Sequence, residues 1–399
     1  MKTKLFGVRF DCSNPLNPPA IATRLYYAEK FRFERSSIMN PGIDDFISDG
    51  TDPFFIRECS VSWNSETNSY DVRYVGQLDY LTSKGDICID FPLFYFSRPS
   101  YMEFIISDKE FPGSLPSPMH FRDNHLYKHC FVSKYKANKG YLSRPGNEIL
   151  ADKTISEFRK GFWKANHSYC QDAAVLFSLN ILRMIKYASL DSQNTIGYGL
   201  VNKQNTHAMP TNHHMAHNIL SMDGGTSEFI SDQNQAILSL GLEDPWGNLF
   251  EFVDGLVEKD SNIYYSNSLK KPDYNWEEYN KEKHFFTYKK SNIECATEVE
   301  YNDETGVILE MSYSKEYPEL LYPIKSKIYT KQECVDGSCH NTIFHDCYWW
   351  NPSNRSWHLS LCGGDWLRGS MAGMFHMRFN NGFGIHTPYV GARSFIVKD

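Results

Sequence analysis

Three sets of side chains in this chain have the types needed for a metal or catalytic site. The first is histidine: His207, His213, His214 and His217 fall in one loop-rich stretch. His213 and His217 stand four apart, which on a helix would bring two imidazoles to one face. A zinc hydrolase of that pattern wants Glu directly after the first His, and His214 stands there instead. Pro210 and Asn212 also argue against a helix, so solvated loop histidines are the plainer reading. The second set is Cys334, Cys339, His340, His345 and Cys347. Its spacing departs from the paired cysteines of zinc knuckles, and Asp336-Gly337 between the first two predicts a hairpin tip. The third set is Asp244, Glu251 and Asp254. Glycoside hydrolysis needs two carboxyl groups facing each other across a groove. The odd separation of Glu251 and Asp254 puts them on opposite faces of a strand. No nucleophile, paired acid or metal set emerges, so the expectation is no catalysis, no metal and no cofactor.

A different chemistry is written in the last fifty residues. Trp357, Leu359 and Leu361 alternate with His358, Ser360 and Cys362; Phe375, Met377 and Phe379 alternate with Met374, His376, Arg378 and Asn380. Period-two alternation predicts strands with one face buried and one presented. The presented mixture of Met, His, Arg, Asn, Phe and Tyr is that of a recognition surface: aromatics for area, amides for adaptable hydrogen bonds, Arg for charge. The candidate contact residues are Asp365, Leu367, Arg368, Ser370, Met371, Met374, His376, Arg378, Asn380, Asn381, Phe383 and His386. Phe383 and the methionines would be apolar anchors, and Arg368 and Arg378 charge-assisted donors. Trp357, Leu359, Trp366, Phe375 and Phe379 would hold the sheet from behind.

The elements that must carry this face come from the rest of the chain. A length of 399 residues allows two or three domains. The 15% aromatic content, with many Asn, Ser and Gly residues, predicts a β-rich, loop-rich protein. A net charge of -7 with no Lys/Arg block argues against a nucleic-acid groove. No long apolar run follows the first residues, so neither a secretory signal nor membrane insertion is expected. The ten cysteines form no framework and are expected as free buried thiols.

Residues 1–120 predict strands: Phe6–Phe10, a hairpin of Ser60–Asn64 and Tyr70–Tyr74, Ile87–Phe91, and Tyr101–Ile106. The Pro- and Ser-rich stretch 112–118 is a candidate boundary between a β-rich N-terminal module, 1–120, and a second domain, 121–399. Thr154 and Glu157 make a capping box that opens a helix with Phe158 and Phe162 on one side. Asp172 opens a second helix, with Leu176, Phe177, Ile181, Met184 and Ile185 in an apolar stripe. Glu243–Asn248 predicts a turn-dense connector with Trp246 buried. Leu249–Gly255 is then a strand stopped by its glycine, and residues 260–300 a polar insertion.

Several of these segments resemble one family. Leu242–Gly255, Tyr187–Gln193 with Ile196–Gly199, Gly363-Gly-Asp-Trp366 with Ala372-Gly373 and Phe375, and Gly391-Ala-Arg393 are similar to phage and gut-bacterial proteins of C-type lectin fold. The major tropism determinant of phage tails is of this kind. The likeness covers roughly 125–399, and Gly7-Val-Arg9 and Asp90–Tyr95 are similar to the front halves of such phage proteins. It implies an α+β chain: a β-rich N-terminal module followed by a C-type lectin-like fold with two helices and a twisted antiparallel sheet. It also implies that the end of the chain is the ligand-binding face, with Arg393 structural. The expected protein is a non-enzymatic virion component, made in a host cytoplasm. Its partners would be a host cell-surface glycan or protein and other virion proteins, and a homotrimer would suit a fibre. Formylglycine-generating enzymes share the core of this fold but carry two cysteines after the Gly-Gly step; here Arg368 and Gly373 stand at the matching places, and Cys362 lies before the glycines. Animal lectins of the fold hold sugar through calcium, for which Glu243–Asn248 supplies too few oxygens. The alternatives to a receptor-binding face are an architectural protein whose terminal sheet packs on another virion subunit, and an enzyme on the same fold.

Overall fold

The computed structural model describes residues 4–14, 16, 20–26, 56–77, 79–80, 83–201, 236–259, 262–274, 286–289, 306–315, 317–328, 342–344, 346–350 and 356–399. Among the described residues the chain is β-rich, with three α-helices. The four loop histidines and the Cys334–His345 set lie outside the described residues. Cys12, Cys59, Cys88, Cys130, Cys170, Cys347 and Cys362 are free thiols, as expected, and all but Cys12 are buried.

The expected strands form, and their edges follow local chemistry. Arg57–Asn64 and Ser69–Tyr74 pair from Cys59↔Tyr74 to Asn64↔Ser69. The Asn64 side-chain oxygen caps their turn by accepting the Glu66 amide at 3.0 Å. A five-stranded sheet runs in the order Ile21–Tyr26, Phe6–Asp11, Glu103–Ser107, Tyr95–Ser100, Leu115–Pro116. A six-stranded sheet runs Tyr169–Cys170, Ser394–Lys398, His129–Ser133, Asp86–Pro92, Arg57–Asn64, Ser69–Tyr74. Strands from both sides of position 120 are therefore neighbours: Asp86–Pro92 hydrogen-bonds to His129–Ser133, which bonds to the last strand of the chain. Phe6, Phe104, Phe177 and Phe375 also belong to one apolar cluster, so residues 1–120 and 121–399 share a core as well as a sheet.

Helix α1 (Ile155–Asn166) begins with the predicted capping box. The Thr154 hydroxyl accepts the Glu157 amide at 3.2 Å, and the Glu157 carboxylate accepts the Thr154 amide at 2.8 Å. Helix α2 (Ala173–Tyr187) is capped by Asp172, which accepts the Val175 amide at 3.0 Å. The sequence predicts an amphipathic α2, whereas every residue from Ala173 to Lys186 is buried. A helix covered on all sides has no solvent face, and α2 packs on Phe6–Asp11 and Glu103–Ser107 as well as on Phe250–Lys259.

The largest sheet has nine strands. Its path is Phe286–Lys289, Asn262–Tyr265, Phe250–Lys259, His358–Gly363, Gly373–Asn381, Cys347–Trp350, Gly306–Met311, Pro323–Ile328, with Val390–Gly391 added beside Phe250–Lys259. Two pairings are parallel: Cys347–Trp350 with Gly373–Asn381, and Val390–Gly391 with Phe250–Lys259. The sheet is thus mixed rather than purely antiparallel. The described part of the polar insertion extends it, since Asn262–Tyr265 pairs with Phe250–Lys259.

Gly255 does not end its strand. Phe250–Lys259 continues through it with a bulge: Val253 pairs with Ser360 while Val257 pairs with the next residue back, Leu359. The extra residues reverse the parity of the strand. Phe250, Phe252 and Val257 face the cluster under α1, and Val253 and Leu256 face the main cluster with α2. At Gly255 φ is +70, and a Cβ would run into the Ser266 carbonyl, so only glycine fits.

Candidate binding face

The strand His358–Gly363 is buried along its whole length, and so are residues 373–377 of its neighbour. Alternation leaves a presented face only where one side of a sheet is open. Here Leu359 and Leu361 pack in the α1 cluster, while Phe375, Met377 and Phe379 pack in the α2 cluster. Both sides are covered. The expected presentation of His358, Ser360 and Cys362 is therefore wrong, as all three are buried. His358 instead bonds Glu258 at 2.7 Å.

Three of the twelve candidate contact residues are buried rather than presented. Asp365 is buried and fastens its own loop, accepting the Leu367 amide at 3.0 Å and Arg368 Nε at 3.1 Å. Met374 is buried in the main core, with its amide donated to the Ser192 hydroxyl at 3.1 Å. His376 is fully buried; its Nδ1 donates to the Met371 carbonyl at 2.7 Å, and its ring lies 5.4 Å from that of Phe250. Burial first, then the nearby Arg368 and Arg378, push the His376 imidazole down to about 3, so it is neutral at ordinary pH.

The remaining candidates reach the surface at two places. Leu367 is 60% exposed, and Arg368, Ser370 and Met371 are half-buried beside it. Arg378, Asn380 and Asn381 emerge where the neighbouring strand leaves the core. Arg378 Nε donates to the Asn380 side-chain oxygen, which also accepts from Asn381 at 2.8 Å. Phe383 and His386 belong to the following loop. The Phe383 ring lies 6.5 Å from that of Trp357, and His386 is exposed with Nδ1 3.0 Å from Asp152.

What joins the first group is a residue the sequence reading passed over. Trp349 is half-buried and sits in parallel register directly beside Arg378. The Arg378 guanidinium lies 4.8 Å from its ring centroid and that of Arg368 5.2 Å. Both cations are also 5.7 Å from the ring of buried Phe250. Two guanidiniums thus converge on the same two aromatic rings. The signal available was the Tyr348-Trp349 step, since Tyr348 is buried and its neighbour must face the other way. The parallel partner that gives Trp349 its meaning lies about thirty residues on and leaves no local trace.

Behind the face, residues 196–199, 242–255, 363–366 and 391–393 meet in one buried scaffold. The Gly247 amide donates to the Gly363 carbonyl at 3.2 Å, and the Trp366 amide to the Asn248 carbonyl at 3.2 Å. Trp246 is fully buried, with its indole N–H donated to the Gly197 carbonyl at 3.0 Å. Arg393 is buried, bonds Glu251 at 3.0 Å and donates to the Glu243 carbonyl at 2.6 Å, a structural arrangement. Glu251 also binds Lys136 at 2.6 Å, and Asp254 is held by Arg159 through two bonds of 2.6 Å. Both acids are buried and committed to different cations, so they do not face each other across a groove. At 373, a Cβ would land on the Asp346 carboxyl, so the position has no room for a cysteine side chain in this packing. Among the described residues no group of three or more His, Cys, Asp or Glu side chains could hold a metal ion, and no helix is long and apolar enough to cross a membrane. No protein-family model matches the chain, and no curated protein matches it.

Proposed function

We propose that this chain is a non-enzymatic virion protein of a phage, built on a C-type lectin-like fold, whose C-terminal rim contacts the host cell surface. The observation that carries the reading is the Arg368–Trp349–Arg378 cluster at the rim of the large sheet, flanked by exposed Leu367 and the amides of Asn380 and Asn381. Rigid aromatics with adjacent guanidiniums and small amides are the make-up of a recognition surface. The family resemblance supports it from the other side. The motif segments form the buried scaffold, and the contact residues that remain sit on the chain immediately after them.

The contact set is Leu367, Arg368, Ser370, Met371, Trp349, Arg378, Asn380 and Asn381, with Phe383 and His386 on the adjoining loop. Asp365, Met374 and His376 support it from beneath. The test is adsorption of the purified protein to a panel of bacterial strains, native beside a variant with alanine at Leu367, Arg378 and Phe383. Strain-selective adsorption by the native protein, lost in a variant that melts as the native does, is the expected result. Native protein that adsorbs to no strain would instead favour an architectural role, with this rim packed on another virion subunit.

A further inference from the structure

We propose that Arg368 and Arg378 form an oxyanion seat, and that the ligand of this face is an acidic surface polysaccharide bearing carboxylate, phosphate or sulfate groups. The inference rests on the binding-face reading above and names its ligand class. A guanidinium presents a planar fork of N–H donors that matches the two oxygens of such a group. Two of them stand over the same pair of rings, Trp349 at 5.2 and 4.8 Å and Phe250 at 5.7 Å each. Ring faces fix the cations before any ligand arrives, so less freedom is lost on binding.

Two side chains lie beneath the seat. His376, against Phe250, is neutral and adds no charge of either sign. Asp365 holds Arg368 at 3.1 and 3.4 Å, which aligns its fork while offsetting part of its charge. The chain as a whole carries a formal charge of -7, so an anionic ligand must be recognised by a local site rather than drawn in by overall charge.

The surroundings favour a saccharide over an acidic peptide. Asn380, Asn381 and Ser370 are neutral polar side chains of the kind that bonds sugar hydroxyls. Leu367 is the one large, strongly exposed apolar side chain of the contact set, whereas a protein interface is centred on a contiguous aromatic and aliphatic core.

The experiment measures binding of the full chain to immobilised polygalacturonate, dextran sulfate, a phosphomannan, neutral dextran and poly-L-glutamate at low and high salt. Binding to at least one of the three charged polysaccharides, at least tenfold tighter than to neutral dextran and weakened by salt, is expected. Which of the three binds best identifies the anionic group. Arg378→Gln is expected to weaken binding tenfold or more, Arg378→Lys to weaken it less at low salt, and Arg9→Gln, outside the contact set on the strand Phe6–Asp11 where Arg9 bonds Glu103, to change it less than twofold. Arg368 is left in place because its loss would strand buried Asp365. On the native protein, bound polysaccharide should also protect Arg378 from phenylglyoxal, read by mass spectrometry, which keeps the test valid if a variant misfolds. Equal binding to neutral dextran, tighter binding to poly-L-glutamate, or an unprotected Arg378 would overturn the proposal. Adsorption to cells separates the two readings. Cells bound equally by native protein and Arg378→Gln, with no competition from soluble polysaccharide, would sink the ligand class and leave the binding face standing. Polysaccharide binding without adsorption to any cell would do the reverse.

Discussion

At the scale of single residues, burial decides roles that residue type alone leaves open. Trp246 fills the junction between Gly197, Gly363 and Arg183, and its N–H has a partner. Trp246→Ala is expected to cost about 3–5 kcal/mol in denaturant unfolding, the sum of lost contact and cavity. Gly373 admits no side chain because the Asp346 carboxyl occupies the space where a Cβ would be. Burial raises the Asp346 carboxyl well above the carboxylate range, against the lowering effect of the Phe375 amide it accepts at 2.7 Å. His120 and His376 shift the opposite way, mainly by burial, to about 4 and about 3. Between the unfolded value near 6.5 and these values, the unfolded chain binds protons that the folded chain does not. Stability contributed by the two neutral imidazoles is therefore fully present above about pH 6.5 and declines as pH falls towards 3, at up to about 1.4 kcal/mol per pH unit for each group. Urea titrations from pH 7 to 4 should yield a shallower decline for His376→Gln than for the native chain. An unchanged slope would mean that His376 takes up its proton over the same pH range in the folded and the unfolded chain.

Elements are positioned by buried ion pairs. Arg159 of α1 grips Asp254 at the bulge of the central strand, and Arg122 grips Asp172 at the start of α2 with bonds of 2.7 and 2.9 Å. Removing one partner leaves a buried charge alone. Arg159→Leu is expected to lose about 3–5 kcal/mol, and Arg159→Leu combined with Asp254→Leu to recover a large part of it. A double-mutant cycle by chemical unfolding measures the difference. Gly255→Ala at the same bulge should destabilise by about 3 kcal/mol or more, since it forces a side chain into left-handed backbone and onto the Ser266 carbonyl. If Gly255→Ala were tolerated, the parity reversal that lets one strand serve two cores would have another origin.

For the molecule as a whole, the last strand is a keystone. Ser394–Lys398 lies between Tyr169–Cys170 and His129–Ser133, two strands from Asp86–Pro92. Ending the chain before Ser394 leaves His129–Ser133 as an open edge of the six-stranded sheet. Hydrogen exchange is expected to report lost protection at His129–Ser133 and Asp86–Pro92 as well as near the truncation. Protection retained across Asp86–Pro92 would mean that the N-terminal strands are stable without the chain's end. The proposed binding face sits on the nine-stranded sheet, upstream of this strand, so closing the chain also anchors the segment that carries Arg368 and Arg378.

The sequence alone determined what depends on neighbours in the chain. The capping box at Thr154, the Asp172 cap, the Ser60–Tyr74 hairpin and the strands of the terminal stretch are all local patterns with local physics. Tertiary structure decided everything that depends on what covers a surface. Period-two alternation records two faces but not what lies on each, so Met374 and His376 read as presented although the α2 cluster takes in the first and Phe250 and Met371 meet the second, and Asp365 reads as presented although it is buried in its own loop. The all-buried α2, the bulge at Gly255 and the sharing of one sheet across position 120 likewise follow from contacts between distant segments. Trp349 is the clearest case. Its place beside Arg378 comes from a parallel pairing, and such a pairing is set by the packing of the whole sheet rather than by any turn the sequence could announce.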